Sequence, residues 1–294
     1  ELLEQRIGAN DATALPLLIE VTQQAQVPLA LRLRAATGLG AAGDPRLLDP
    51  QTGDAPAGGY WCVMHPGMFW YGDDRIGEPL KQMTLRYTFR IARFPVTNAE
   101  YERFLQSGTR WVQSVETPRQ WHDKNYTQPN QPVVGITWRE MNAYCNWLTE
   151  QGHTHGWLPQ HQQIRLPTTL EWERAARHDD WRRYPWGNAQ PEETRANYRA
   201  TGIEAPTPVG CFPGGTAVCG AQDMVGNVME LMASSDRKPT EINPLTAPRK
   251  DDMVLGSFND YSDGEHLLFC GSRIYYYPDT ATPLCGFRVV WVRT

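Results

Sequence analysis

Residues 164–177 read IRLPTTLEWERAAR. Ile164 to Leu166 suits a short strand, Pro167 turns the chain, and a helix is expected to start near Thr168 or Thr169. Leu170, Trp172, Ala175 and Ala176 recur at helical spacing, so one face of that helix can pack on a sheet.

The same alternation of strand, turn and helix extends on both sides. YWCVMHPGMFWYGDD (60–74) and LRYTFRIARFPV (85–96) read as strands. Thr97 with Glu100, and Thr137 with Glu140, have the spacing of capping boxes. They predict one helix running through Leu105 and a second beneath MNAYCNWLTEQ (141–151). YPWGN (184–188) supplies a Pro-fixed turn with an aromatic anchor. Beyond Trp181 no long helical pattern appears, and more than a hundred residues of loop-dominated chain follow. Loops of that extent in a compact domain usually carry function or bind ions.

Composition sets the outer limits. The chain has 294 residues, 40% hydrophobic and 21% charged, with net charge −5. That suits a globular protein with one large domain and an appendage. It has no basic stripe, so nucleic acid is not an expected partner. No apolar run reaches spanning length, so membrane insertion is not expected. With 25 Gly, 23 Pro and 11 Trp, the core should rest on rings held among turns.

Residues 1–42 read as a helical segment, with Leu15, Leu18, Val21, Leu29, Leu33, Ala36 and Leu39 near helical spacing. Two readings stand for it: a helix-hairpin unit cut from an upstream module of a longer chain, or a cap on the main domain. GDPRLLDPQTGDAPAG (43–58) is rich in Gly, Pro and Asp and reads as a linker or long loop. The main domain is expected over 59–294.

The six cysteines form no CxxC and no zinc spacing. Cys145 lies on an apolar helical face and should be buried and inert. Cys211 and Cys219 flank a Gly-Pro loop and are candidates for pairing.

Eight segments in order, from FRIARFPVTNAEYERFL (89–105), QPVVGITWREMNAYCNWLTE (131–150), IRLPTTLEWERAAR, RYPWGN (183–188), TPVGCFPGG (207–215), DMVGNVMEL (223–231) and VLGSF (254–258) to GFRVV (286–290), resemble the sulfatase-modifying-factor, or formylglycine-generating-enzyme, family. The resemblance implies an α+β, C-type-lectin-like fold of the formylglycine-generating-enzyme type, with long loops and here a short N-terminal helical segment. Phe258, Phe287 and Arg288 would be structural.

Family enzymes oxidise a sulfatase cysteine using two copper-binding cysteines five residues apart near the C-terminus. By that resemblance the second falls on Cys270, but the first falls on Glu265, a poor Cu(I) ligand. Met229 stands where the family carries an aromatic residue. Copper is therefore not expected, and the copper-dependent formylglycine-generating reaction is the alternative rather than the leading reading. Related members oxidise thiols at a histidine-rich iron site. Here the nearest histidine pair, His153 and His155, sits after a helix without visible partners. No GxSxG or comparable nucleophile motif is present.

The stretch Asn259 to Cys285, NDYSDGEHLLFCGSRIYYYPDTATPLC, lies between two fixed-looking anchors. Of Glu, Lys, Gln, Met and Trp, which make up about a fifth of the chain, it contains only Glu265, where about five are expected. Most of its residues are reachable by replacing adenines in Asn codons. That pattern, at this end of this fold, resembles the variable proteins of diversity-generating retroelements. The expected function is non-enzymatic binding of a protein or glycan ligand. Asn259, Asp260, Tyr261, His266, Leu268, Phe269, Ser272, Ile274, Tyr275, Tyr276, Tyr277, Thr280, Thr282, Pro283 and Leu284 would form the variable surface, since Tyr presents rigid amphipathic area at low entropic cost. About a third of the stretch, Ile274 and Tyr276 by alternation, could instead face the core. Arg273 and Asp279 read as framework.

The family's calcium loop falls on Asp223, Gly226, Val228 and Glu230, two carboxylates and two carbonyls that would suit Ca2+. A second family site at Asn197 and Tyr198 is not expected, because Thr201 replaces its carboxylate.

Overall fold

The computed structural model describes residues 14–233, 253–256, 268–277 and 279–294, with backbone only for 253–256 and 274–276. Three capping boxes start three of its helices. Thr97, Thr137 and Thr168 each accept from the backbone N–H three residues on, and the glutamate there returns a bond to the cap. The helices are α3 (Asn98–Leu105), α4 (Trp138–His155) and α5 (Thr169–Arg177). Gly156, with φ 77°, ends α4 in the left-handed conformation that glycine adopts without a Cβ clash.

Among the described residues, ten strands divide into three sheets. Strands β1 (Trp61–Met64), β4 (Phe89–Ala92), β10 (Val290–Arg293) and β5 (Gln162–Arg165) lie side by side in that order, all antiparallel. Strands β2 (Gly67–Asp73) and β3 (Glu78–Leu85) form a hairpin. In the third sheet β8 (Ile274–Tyr276), β7 (Met253–Gly256), β6 (Met229–Leu231) and β9 (Cys285–Gly286) follow one another, with β6 and β9 parallel. The first and last strands of the main domain thus share one sheet, which closes the chain on itself.

The core is built of rings, as the Trp and Tyr content requires. Tyr144 on α4 meets Tyr101 and Phe104 on α3, Trp147 one turn on, and Phe287, all with centroids 5.4–5.9 Å away. Such edge and offset contacts add to the area they bury. Trp172 and Ala175 of α5 pack with Phe69, Ile91 and Val290, the helix-on-sheet contact that the apolar face of 164–177 predicts. After Trp181 the described residues contain no α-helix, only short 3-10 turns.

The N-terminal segment forms α1 (Ala14–Thr22) and α2 (Leu29–Ala41), which pack on each other and on the main domain. Arg32 is fully buried and donates to the carbonyls of Val27, Cys211 and Glu193. Asn130 Nδ2 donates to Ala36 O at 2.8 Å. Residues 43–58 are a loop tied down along its length rather than a free linker. Arg46 pairs with Asp44 at 2.6 Å, Leu47 and Leu48 are buried, and the Trp61 and Trp157 indoles donate to Gly53 O and Pro50 O.

Candidate functional site

Two buried carboxylates set the geometry beneath the C-terminal loops. Glu230, on β6, is fully buried against Arg288, which precedes β10. Arg288 Nε and Nη2 donate to its two oxygens, each at 2.7 Å, and Trp172 Nε1 donates at 2.8 Å. The remaining guanidinium hydrogens go to the carbonyls of Ala92, Arg93, Gln222 and Asp223. Burial works against the charge on Arg288, but the Glu230 carboxylate outweighs it and raises the pKa.

This arrangement decides the fit of calcium. Both Glu230 oxygens face a cation already. Asp223 Oδ2 accepts from Gly210 N–H at 2.8 Å, and Gly226 O accepts from Val228 N–H. Burial raises the Asp223 pKa to about 6. Asp223, Gly226, Val228 and Glu230 therefore form a hydrogen-bonded turn held by Arg288, and in this arrangement they do not fit Ca2+, which needs oxygens free to converge on it. Among the described residues no three of His, Cys, Asp and Glu cluster so as to hold a metal ion.

The second carboxylate is Glu173, on α5. It binds Arg177 Nη2 at 3.0 Å, Arg273 Nη2 at 2.5 Å and Gly72 N–H at 3.0 Å. Burial outweighs both guanidinium groups and raises its pKa to about 7. Arg273 also stacks on the Tyr71 ring, 4.3 Å from the centroid, and donates to its hydroxyl. Three members of the expected variable surface are instead buried. Leu268 packs with Ala196, Tyr198 and Val225; Phe269 is fully buried beneath Arg75, 4.2 Å from its ring; Ser272 is buried beside Arg273. No periodicity marks them, and a ligand could not reach them.

The chain turns outward after β8. Tyr277 is 56% exposed. Asp279 reaches the exposed Arg139 at 3.3 Å. Thr280, Thr282, Pro283 and Leu284 are half-buried. Backbone bonds from Gly135 N to Thr282 O and from Met229 N to Leu284 O fasten this return to the core. The side chains of Ile274, Tyr275 and Tyr276 are not described, and Asn259, Asp260, Tyr261, Glu265 and His266 lie outside the described residues.

Cys270 is buried, and burial pushes its thiol up to about 12. His153 places a ring nitrogen 2.9 Å from Gln162 O. The six cysteines are free, so Cys211 and Cys219 are not paired with each other. Cys219 lies beside Cys62 instead.

A family model described as the sulfatase-modifying factor enzyme 1-like domain matches residues 51–293. The chain belongs to this family. Hercynine oxygenase of Mycolicibacterium thermoresistibile is 33% identical over 188 residues, covering 55% of the chain and 39% of that relative. An inactive C-alpha-formylglycine-generating enzyme 2 of Bos taurus is 28% identical over 269 residues, covering 74% of the chain and 81% of that relative. The chain spans 39–65% of the length of the hercynine oxygenases it matches. Among solved structures, Treponema denticola variable protein 1 superposes with TM-score 0.58 at 18% identity, covering 80% of the chain and 95% of that structure. The fold of this family member is thus α+β and C-type-lectin-like, of the formylglycine-generating-enzyme type. Enzymes and a member called inactive stand among its relatives.

Proposed function

We propose that this family member is a non-enzymatic ligand-binding protein whose segment 259–285 is diversified by a retroelement to vary specificity for a protein or glycan. One observation carries the reading. The segment is fastened by a buried lock inside it, Glu173 with Arg177 and Arg273, and another at its end, Glu230 with Arg288, while its composition is ring- and hydroxyl-rich and Tyr277 stands at the surface. A rigid scaffold that holds out a tolerant loop is what a recognition surface needs, because rigid rings lose little entropy on binding. In this reading the family's copper ligands are not both kept: by the resemblance Glu265 stands where one thiol would be, and Cys270 is a buried thiol held in its neutral form.

The contact residues in this reading are Tyr277 together with Asn259, Asp260, Tyr261, His266, Tyr275 and the half-buried Thr280 and Thr282. The test is sequencing of the gene's neighbourhood. A reverse transcriptase gene and a template copy of the segment, mismatched at adenines, are expected. A lone gene whose close relatives keep 259–284 unchanged would refute the diversified surface.

A second reading, a thiol-oxidising oxygenase, is favoured by the 33% identity to a protein named hercynine oxygenase. Dioxygen uptake by the iron-loaded chain with a thiol substrate separates the two, since the binding protein should consume none.

A further inference from the structure

Five of the six cysteines are buried, and only Cys219 is half-exposed. Cys62 sits on β1, opposite Ile91, and its side chain packs with Met64, Ala175, Ala217 and Ala221. Cys219 sits in a tight turn closed by Ala217 N to Ala221 O and Gly220 N to Ala217 O, both 2.8 Å. That turn lays the chain against β1. The position a Cβ would take on Gly220 is 3.5 Å from Cys62 Sγ, and Cys219 Sγ is 3.5 Å from Ala175 O. Cys62 and the residue next to Cys219 are thus in contact across β1 and this turn, and the two thiol groups are electrostatic neighbours in the reduced protein.

We infer that Cys62 and Cys219 are a redox-active dithiol that closes to an intramolecular disulfide when it meets a small disulfide oxidant. The two sulfurs have different roles because they differ in access. Cys219 can be reached from solvent and Cys62 cannot. The Cys219 thiolate attacks the small disulfide, forms a mixed disulfide and expels one thiol. Cys62, losing its proton, then attacks Cys219 Sγ and expels the second thiol. The protein gives up two electrons and two protons, which leave on the two small thiols.

The electrostatics favour the same order. The neighbouring Cys62, with the Ala221 backbone and Arg288, lowers the Cys219 thiol, while Cys62 is pushed up by the same neighbour and by burial. A thiol near neutral is the better attacking group. Burial pushes up Cys145, Cys211, Cys270 and Cys285, so none of them competes. The bond would join β1 to the turn just before Gln222 and Asp223, whose carbonyls receive Arg288. Oxidation therefore ties the Arg288 anchor to the central sheet.

Peptide mapping tests this on the full chain. The reduced protein is incubated with oxidised glutathione at neutral pH, alkylated, digested and weighed. A peptide pair joined through Cys62 and Cys219 is expected, with a rise of several °C in the unfolding midpoint. Cys62→Ser should trap glutathione on Cys219, and Cys219→Ser should take up none. Wild-type protein that leaves both cysteines open to alkylation would overturn the inference. So would glutathione settling on any cysteine other than Cys219 in the Cys62→Ser protein. The wild-type map stands by itself if either variant folds poorly.

Discussion

Arg288 and Glu230 face each other in complete burial, joined by two hydrogen bonds of 2.7 Å, although 58 positions separate them in the chain. The pair connects the last strand of the central sheet to the strand that opens the loop sheet. It also fills the place where the family resemblance puts a calcium ligand. Desolvating two charges is costly, so such a pair stabilises only while both partners remain.

Arg288→Met should destabilise the protein by about 3–5 kcal/mol, because it strands the Glu230 carboxylate in the core. The double variant Arg288→Met, Glu230→Leu should recover part of that loss. Urea denaturation of the three proteins checks this; equal losses in the single and double variants would show that the pair is not coupled.

Tyr277→Ala should leave stability within about 0.5 kcal/mol of wild type, since an exposed ring is removed. Phe269→Ala, eight positions earlier yet fully buried, should cost about 3–5 kcal/mol. The contrast within one segment is read from denaturation midpoints.

Stability should fall between about pH 4.5 and 7. In the fold, Glu173 and Asp223 have pKa values of about 7 and about 6, against ordinary values of 4.5 and 3.8. The native state therefore holds these protons more tightly than the unfolded chain. The stability they contribute is full below the unfolded values and is lost as pH rises through the folded ones. Glu173→Gln should flatten this decline even though it weakens the Arg177 and Arg273 contacts. Urea midpoints at pH 5 and pH 7.5 measure the slope, and an unchanged slope would contradict the assignment.

Arg32→Ala should destabilise by about 2–4 kcal/mol, since three carbonyls lose their donor and α2 loses its bonds to Cys211 and Glu193. Native-state hydrogen exchange should show the faster opening beginning in α1 and α2. Exchange that quickens uniformly would argue against a docked pair.

The elements legible in the sequence were those specified locally. Thr97, Thr137 and Thr168 each carry their glutamate three residues on, and all three start helices. The eight ordered segments led to the family, and the Trp and Tyr content to the ring-built core. What stayed hidden depends on distant partners. Nothing near Glu230 announces Arg288, and nothing near Glu173 announces Arg273, a hundred positions on. Leu268, Phe269 and Ser272 look like loop residues because no period marks them, yet all three are buried, Leu268 against Ala196, Tyr198 and Val225 and Phe269 beneath Arg75. Cys62 and Cys219 meet only because the 217–221 turn folds onto β1.

The proposed function requires a rigid frame that holds out a tolerant surface. Saturation mutagenesis across 253–290, scored for folded protein by protease resistance, tests it most directly. Tyr261, Tyr277 and Thr280 should accept most substitutions, whereas Phe269, Arg273, Phe287 and Arg288 should accept few. If Tyr277 proves as intolerant as Phe269, the surface belongs to the core and the account fails.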